Sequence, residues 1–318
     1  MRNAGEDRIP KWVLAQRQAL PLDVKAAMSD TRIREWVNHW GGEVYVSFSG
    51  GKDSTVLLDL VRKVDPNVPA VFCDTGLEYP EVREFALSKA DVVIRPKMSF
   101  KSVIERYGYP VPSKEQAQYI RQYRHTNSEK LRNLRWNSNN GSFGISEKWK
   151  MLCDAPFEVS EKCCEIMKKN PFAKYEKESG RKPFIGAMAA ESSLRMQEYL
   201  RNGCNEFEGR RIKSKPIGFW TEQDILRYIV EHGLEIAGCY GEIVSDGGVF
   251  RTTREDRTGC MFCMFGVQHD GKPNRFQRMQ RDYPRQYEYC MEKLGIRNVL
   301  EYIGIPYEYE PTLFDSTE

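Results

Sequence analysis

The turn Ser49-Gly50-Gly51-Lys52-Asp53-Ser54, set between two apolar segments, constrains this chain more than any other feature. Ahead of it, Glu43–Phe48 is a short β-rich run that reads as a strand. Behind it, Val56, Leu57, Leu60, Val61 and Val64 recur at helical spacing and predict a helix over 55–64. Gly50 and Gly51 let the backbone turn tightly and approach an anion closely. Backbone N–H groups at the helix start then face that anion. Lys52 adds a point charge, and Ser49 and Ser54 add hydroxyl donors. The spacing differs from the GxxxxGK[ST] loop.

The strand–turn–helix order repeats. Pro69–Cys73 reads as a second strand, Tyr79–Ala90 as a helix, Asp91–Arg95 as a third strand, Ser99–Tyr107 as a helix, and Pro183–Met188 as a later strand. Such alternation predicts an α/β fold with a doubly wound parallel sheet. In such sheets ligands sit beyond the carboxyl ends of the strands, which puts Asp74 and Thr75 beside the turn. Upstream, Ser29-Asp30 reads as a helix cap followed by Ile33, Trp36, Val37 and Trp40, with Gly41-Gly42 as the stop. Residues 113–150 are polar and read as a helical insertion ending in a loop at 137–144. Thr221–His232 reads as a capped helix. Beyond 234 the alternation ends, and Arg275–Leu294 reads as a helix interrupted near Pro284. The expected organisation is a helical segment 1–42, a nucleotide-binding domain 43–234 and a cysteine-bearing helical extension 235–318.

The net charge of +3 gives no whole-chain basic argument, but the distribution is uneven. Residues 113–150 hold eight Lys or Arg against three Glu, and 272–285 hold five against one Asp, patches able to meet nucleic-acid phosphates or simply to solvate a helix face. No apolar run approaches the roughly 20 residues of a membrane helix, and the N-terminus lacks a secretory apolar stretch. A cytoplasmic protein is expected. Nine cysteines are many for a reducing compartment. Clustering as Cys163-Cys164 and Cys260-x-x-Cys263 points to metal or redox chemistry. Four soft ligands near Met261, Phe262, Met264 and Phe265 suit an iron–sulfur cluster, with a structural zinc site and four unliganded thiols as rivals. Cys153 or Cys239 is an alternative to one of the adjacent pair.

The Ser-Gly-Gly-Lys-Asp-Ser turn, together with Asp74-Thr75-Gly76-Leu77-Glu78-Tyr79-Pro80, closely resembles the phosphoadenosine phosphosulfate reductase family of the adenine nucleotide alpha-hydrolase class. That resemblance implies ATP or a sulfonucleotide held by Ser49, Gly50, Gly51, Lys52, Asp53, Ser54, Asp74 and Thr75, with Mg²⁺ near Asp53. Cys163-Cys164 followed by Lys168, Lys169 and Pro171, with the distant Cys260 and Cys263, resembles the adenylylsulfate reductases. By that resemblance the four thiolates hold one [4Fe–4S] cluster. In Gly186–Arg195, Arg195 matches a family arginine that reaches substrate phosphate or sulfate, so Lys52, Asp53 and Arg195 are the implied catalytic residues. Trp220–Ile225 is also similar and is assigned capping and packing.

The resemblance breaks in the tail. The reductases carry a nucleophilic cysteine there, whereas residues 307–318 contain none, and Cys290 lies in a helical context. In this respect the chain is more similar to sulfurtransferases of DNA phosphorothioation and of tRNA thiolation. That branch implies ATP activation, loss of pyrophosphate, and sulfur passed from a cysteine desulfurase to DNA or tRNA. The expected acceptor face carries Arg121, Arg124, Arg132 and Arg135. The alternatives are a sulfonucleotide reductase and a nucleotide-sensing subunit without catalysis.

Overall fold

The computed structural model describes residues 8–137, 143–209 and 211–311. In chain order the elements are α1 (Lys11–Ala19), α2 (Leu22–His39), β1 (Val44–Phe48), α3 (Lys52–Val64), β2 (Ala70–Cys73), α4 (Pro80–Lys89), β3 (Val92–Ile94), α5 (Phe100–Tyr107), α6 (Lys114–His125) and α7 (Glu129–Asn137). Then come α8 (Asn170–Ser179), β4 (Lys182–Ile185), α9 (Ser193–Asn202), β5 (Asn205–Glu206), β6 (Lys213–Ser214), α10 (Glu222–His232), β7 (Ile243–Asp246) and β8 (Val249–Thr252). The last helices are α11 (Arg275–Asp282), α12 (Pro284–Glu288) and α13 (Ile296–Tyr302). The loop expected at 137–144 falls largely outside the described residues, and the tail segment 312–318 falls wholly outside them.

The chain divides into two compact units, residues 1–95 with 171–258, and residues 96–170 with 259–318. It therefore crosses between units three times, after residues 95, 170 and 258. This interleaved division differs from the serial boundaries at 42 and 234 expected from the strand–helix alternation.

The first unit is the expected α/β sheet, in the order β3-β2-β1-β4-β6-β5. β1 pairs in parallel with both β2 and β4, and only the short edge strand β5 is antiparallel. The order reverses at β1, so the turn that follows it lies at the switch point where such sheets bind ligands. Between the sheet and α3, Val56, Leu57, Leu60 and Val61 are buried with Val46, Phe48 and Phe184. Each such side chain contributes about 1.5–3 kcal/mol by leaving water.

Two local readings are corrected. Helix α3 begins at Lys52 rather than 55, so Lys52 and Asp53 belong to its first turn. Ser29 is no cap: α2 starts at Leu22, and Ser29 lies fully buried in its middle. There its hydroxyl donates to Pro216 O at 2.9 Å and accepts from Trp220 Nε1 at 3.0 Å. A serine with tertiary partners can occupy a helix interior, which its local cap signal does not reveal.

The second unit is helical and is built from both of its segments. Phe100 meets Phe262, Phe157 meets Tyr302, and Tyr109 donates to Leu294 O at 2.8 Å. Among the described residues, no helix is long and apolar enough to cross a membrane.

Candidate functional site

The turn after β1 is braced by its own side chains. Ser49 N–H donates to Ser54 Oγ at 3.2 Å, and Ser54 Oγ donates to Gly51 O at 2.9 Å. Gly50 has φ +74°, and a Cβ on it would lie 2.8 Å from Val82 O and 2.9 Å from Ala86 Cβ. Gly186, just past β4, brings its backbone against Asp53 and Ser54, where a Cβ would sit 3.2 Å from three main-chain atoms. Small residues at both strand ends thus let α3 start close to the sheet. Gly50→Ala is expected to destabilise the fold by at least about 1–2 kcal/mol, from the left-handed backbone alone. It should also weaken nucleotide binding, since the loop must shift to relieve the clash. Thermal unfolding and a nucleotide titration check both effects, and wild-type values in both would refute the assignment.

A pocket opens over this turn, lined by Ser49, Gly51, Lys52, Asp53 and Ser54 but not by Gly50. The remainder of its lining comes from Gly186, Met188 and Glu191, from Glu222, and from Tyr240 with Asp256–Thr258. Lys52 is buried, and its ammonium donates to Asp256 O at 2.7 Å and pairs with Glu222 at 3.0 Å. The Tyr240 hydroxyl accepts from Lys52 N–H at 3.4 Å and shares a 2.6 Å hydrogen bond with Thr258. Glu222 is placed by the capping box of α10, in which Thr221 and Asp224 satisfy each other's backbone N–H. Asp224 is itself fixed by the buried Lys25 at 2.8 Å. Capping and packing therefore describe Thr221 and Asp224, whereas Glu222 faces the pocket.

The electrostatics are mixed. Burial pushes the Asp53 carboxyl up to about 6, aided by Glu191 and Glu222 and opposed by Lys52 and Arg257. Three carboxylates and two cations thus converge where phosphate is expected.

Other expected residues lie elsewhere. Asp74, buried at the end of β2, is claimed by Arg83 at 2.8 and 2.9 Å and by Arg95 at 3.2 Å. Arg83, ahead of Arg95, holds its carboxyl below the usual range. Thr75 donates to Glu78 at 2.6 Å. Neither residue lines the pocket. Arg195 is exposed on α9 and reaches the site only through Glu191, at 3.3 Å.

The four cysteines of the motifs all fall in the helical unit. Cys163 is buried, and its sulfur lies 3.9 Å from that of Cys164. The hydrogen bond from Cys163, then Lys114 and Lys168, lower the Cys164 thiol against the opposing effect of burial. Cys163 is raised by that same bond and by burial, with further contributions from the charges of Cys263 and Cys260. Among the described residues, no group of three or more His, Cys, Asp or Glu is arranged to hold a metal ion. Cys153 and Cys239, the alternative ligands, are buried, and Cys239 belongs to the sheet unit.

The expected acceptor face is partly neutralised. Arg121 makes a two-pronged pair with Glu161 at 2.9 and 2.6 Å, and Arg124 binds Glu158 at 3.0 Å. An arginine engaged in this way is a poor phosphate anchor. Arg132 and Arg135 instead donate to uncharged acceptors, Thr126 O and Gln122 Oε1.

The model of the phosphoadenosine phosphosulfate reductase domain matches residues 43–264. The chain belongs to that family. The match takes in the Ser49–Ser54 turn and all four motif cysteines. Among relatives of this family member, the adenosine 5'-phosphosulfate reductase of Anoxybacillus flavithermus is 26% identical over 228 residues, covering 70% of this chain and 78% of the relative. The phosphoadenosine 5'-phosphosulfate reductase of Alkalilimnicola ehrlichii is 24% identical over 249 residues, covering 77% and 85%. The solved phosphoadenylyl-sulfate reductase of Candida auris, a phosphate complex, matches at 16% identity with a TM-score of 0.39, covering 66% of this chain and 82% of that one.

Proposed function

We propose that this family member is a magnesium-dependent ATP pyrophosphatase that activates an acceptor and passes sulfur to it. The observation that carries this reading is the meeting of Asp53, Glu191 and Glu222 with Lys52 and Arg257 around the turn. Carboxylates facing a phosphate chain repel it unless a cation lies between. Mg²⁺ is held in this way, by one or two carboxylates, substrate phosphates and water. Asp53 and Glu191 are suitable hard donors for it.

In the proposed reaction an acceptor oxygen attacks the α-phosphorus of ATP, and the bond from that phosphorus to the bridging oxygen breaks. Pyrophosphate leaves, with its charge met by the backbone N–H groups of Gly50 and Gly51 and by Lys52 once it releases Glu222. A sulfide-level nucleophile then displaces AMP from the adenylylated acceptor, so that carbon–sulfur or phosphorus–sulfur replaces the bond to oxygen. Cys163, Cys164, Cys260 and Cys263 are the proposed ligands of a [4Fe–4S] cluster, which when bound supplies a place to hold the incoming sulfur. Four soft thiols within one unit are donors of the kind such a group takes. One ion with metal–sulfur bonds of about 2.3 Å needs its ligands packed more tightly than a multi-iron cluster does.

DNA or tRNA is the proposed acceptor and a cysteine desulfurase the proposed donor. Helix α7 supports the acceptor class: it buries none of its residues and carries Lys130, Arg132 and Arg135. A second reading, sulfonucleotide reduction, is favoured by the names of the relatives. It requires an accessible nucleophilic thiol, and Cys73, Cys153, Cys204, Cys239 and Cys290, the cysteines outside the quartet, are all buried.

The deciding experiment offers anaerobic protein ATP or adenylylsulfate, the latter with thioredoxin, and measures pyrophosphate and sulfite. Magnesium-dependent pyrophosphate from ATP is expected. Sulfite from adenylylsulfate at an enzymatic rate, with ATP ignored, would replace this reading with the reductase.

A further inference from the structure

The segment carrying Cys260 and Cys263 is wound by its own backbone. Cys263 N–H bonds Cys260 O at 3.1 Å, Val267 N–H bonds Met264 O at 3.3 Å, and Asp270 N–H bonds Val267 O at 3.1 Å. Gly266, at φ +76°, turns the chain between them, and its N–H is tied to Pro112 O at 2.8 Å. Asp270 closes the winding and receives Arg275, the first residue of α11. Arg275 Nε and Nη2 donate to its two carboxylate oxygens at 2.7 and 2.8 Å. The remaining nitrogen turns back on the loop, with Nη1 donating to Cys263 O at 2.9 Å and Phe265 O at 3.1 Å. Asn274 caps α11 by accepting from Phe276 and Gln277 N–H, which fixes where Arg275 begins.

From this geometry we infer that Arg275 is the positioning residue of the [4Fe–4S] cluster: it sets the curvature of the Cys260–Phe265 loop and balances the Asp270 carboxylate behind Cys263 with a positive charge. The inference rests on the cluster reading above. Arg275 lies outside the residues matched by the family model. Its role needs a guanidinium, because a planar fork of five N–H donors can span a carboxylate and two carbonyls at once, and an ammonium cannot. The charge has a redox consequence. Reduction adds an electron to the cluster, so a cation nearby stabilises the reduced form and raises the potential.

The test uses full-length protein reconstituted anaerobically with iron and sulfide. Bound iron, the midpoint potential of the assembled cluster and nucleotide affinity are measured. Arg275→Gln should weaken cluster retention about 10- to 100-fold, as loss of an outer-shell partner does. The fraction that assembles should have a more negative potential. Arg275→Lys should also lose retention but keep a potential near the wild-type value. Asp270→Asn should move the potential upward, opposite to Arg275→Gln, a split that a purely structural role would not produce. Unchanged nucleotide affinity shows that the sheet unit is intact. Should Arg275→Gln fail to fold, the upward shift in Asp270→Asn and the loss of retention without a shift in Arg275→Lys carry the test. Arg275→Gln protein with wild-type iron and potential would overturn the inference. Wild-type protein that takes up zinc or no metal would instead sink the cluster reading, and the inference with it.

Discussion

Asp53→Asn is expected to cut magnesium-dependent nucleotide turnover at least about 100-fold, because loss of even an outer-shell partner of a metal costs 10- to 100-fold. It is also expected to make the ligand-free protein harder to unfold above pH 6. Burial, then Glu191 and Glu222, lift the folded-state carboxyl from 3.8 to about 6. Between those values the folded chain holds a proton that the unfolded chain has lost. Stability therefore falls as pH rises through that window and stays lower above it. The whole displacement corresponds to at most about 3 kcal/mol, and partial solvent access reduces it to about 1–3 kcal/mol. Asparagine cannot ionise, so the variant lacks this pH-dependent loss. Function runs the other way. A cation needs the ionised carboxylate, so wild-type affinity for magnesium nucleotide should fall about tenfold per pH unit below 6 and level off above it. Urea unfolding at pH 5 and pH 8, with turnover across the same range, measures both arms. Wild-type turnover in the variant would remove Asp53 from the chemistry.

Cys263→Ser is expected to abolish the cluster. Anaerobic wild-type protein should be brown, with about four irons per chain. The variant should be colourless, with residual iron close to zero. A serine oxygen is a hard donor in place of a soft one, and three remaining thiolates leave one iron exposed. Cys73→Ser is the control: Cys73 is buried in β2 of the sheet unit and should keep its iron. Iron assays with visible spectra read the outcome. Stoichiometric zinc in wild-type protein made with ample iron would defeat the assignment.

The turn at 49–54 was legible because its signals are local: glycines, a flanking strand and an amphipathic helix within about twenty residues. The parallel sheet followed from the same periodicity. The rest of the pocket was not legible, because Glu191, Glu222, Tyr240 and Arg257 converge from positions far apart in the chain. Glu222 looked like a first-turn acid of α10, and its sequence environment is that of a capping box. One hint was present, since Asp256-Arg257-Thr258 runs directly into Gly259-Cys260. The ion pairs within the arginine face were illegible for a related reason. Composition counts charges, but it does not say that Glu158 and Glu161, beyond the counted segment, neutralise Arg121 and Arg124.

The threefold crossing between units has an evolutionary consequence. Cys163-Cys164 and Cys260-x-x-Cys263 belong to one unit, but 88 residues of the other, 171–258, are threaded between its two segments. A single recombination crossover cannot exchange either unit intact, because no contiguous stretch of gene encodes it. Any exchange that carries both cysteine pairs must also carry β4, Glu191, Glu222 and Tyr240. The cysteine-bearing half and the later wall of the pocket over the turn are therefore inherited as a linked block, and change in one is selected on the genetic background of the other.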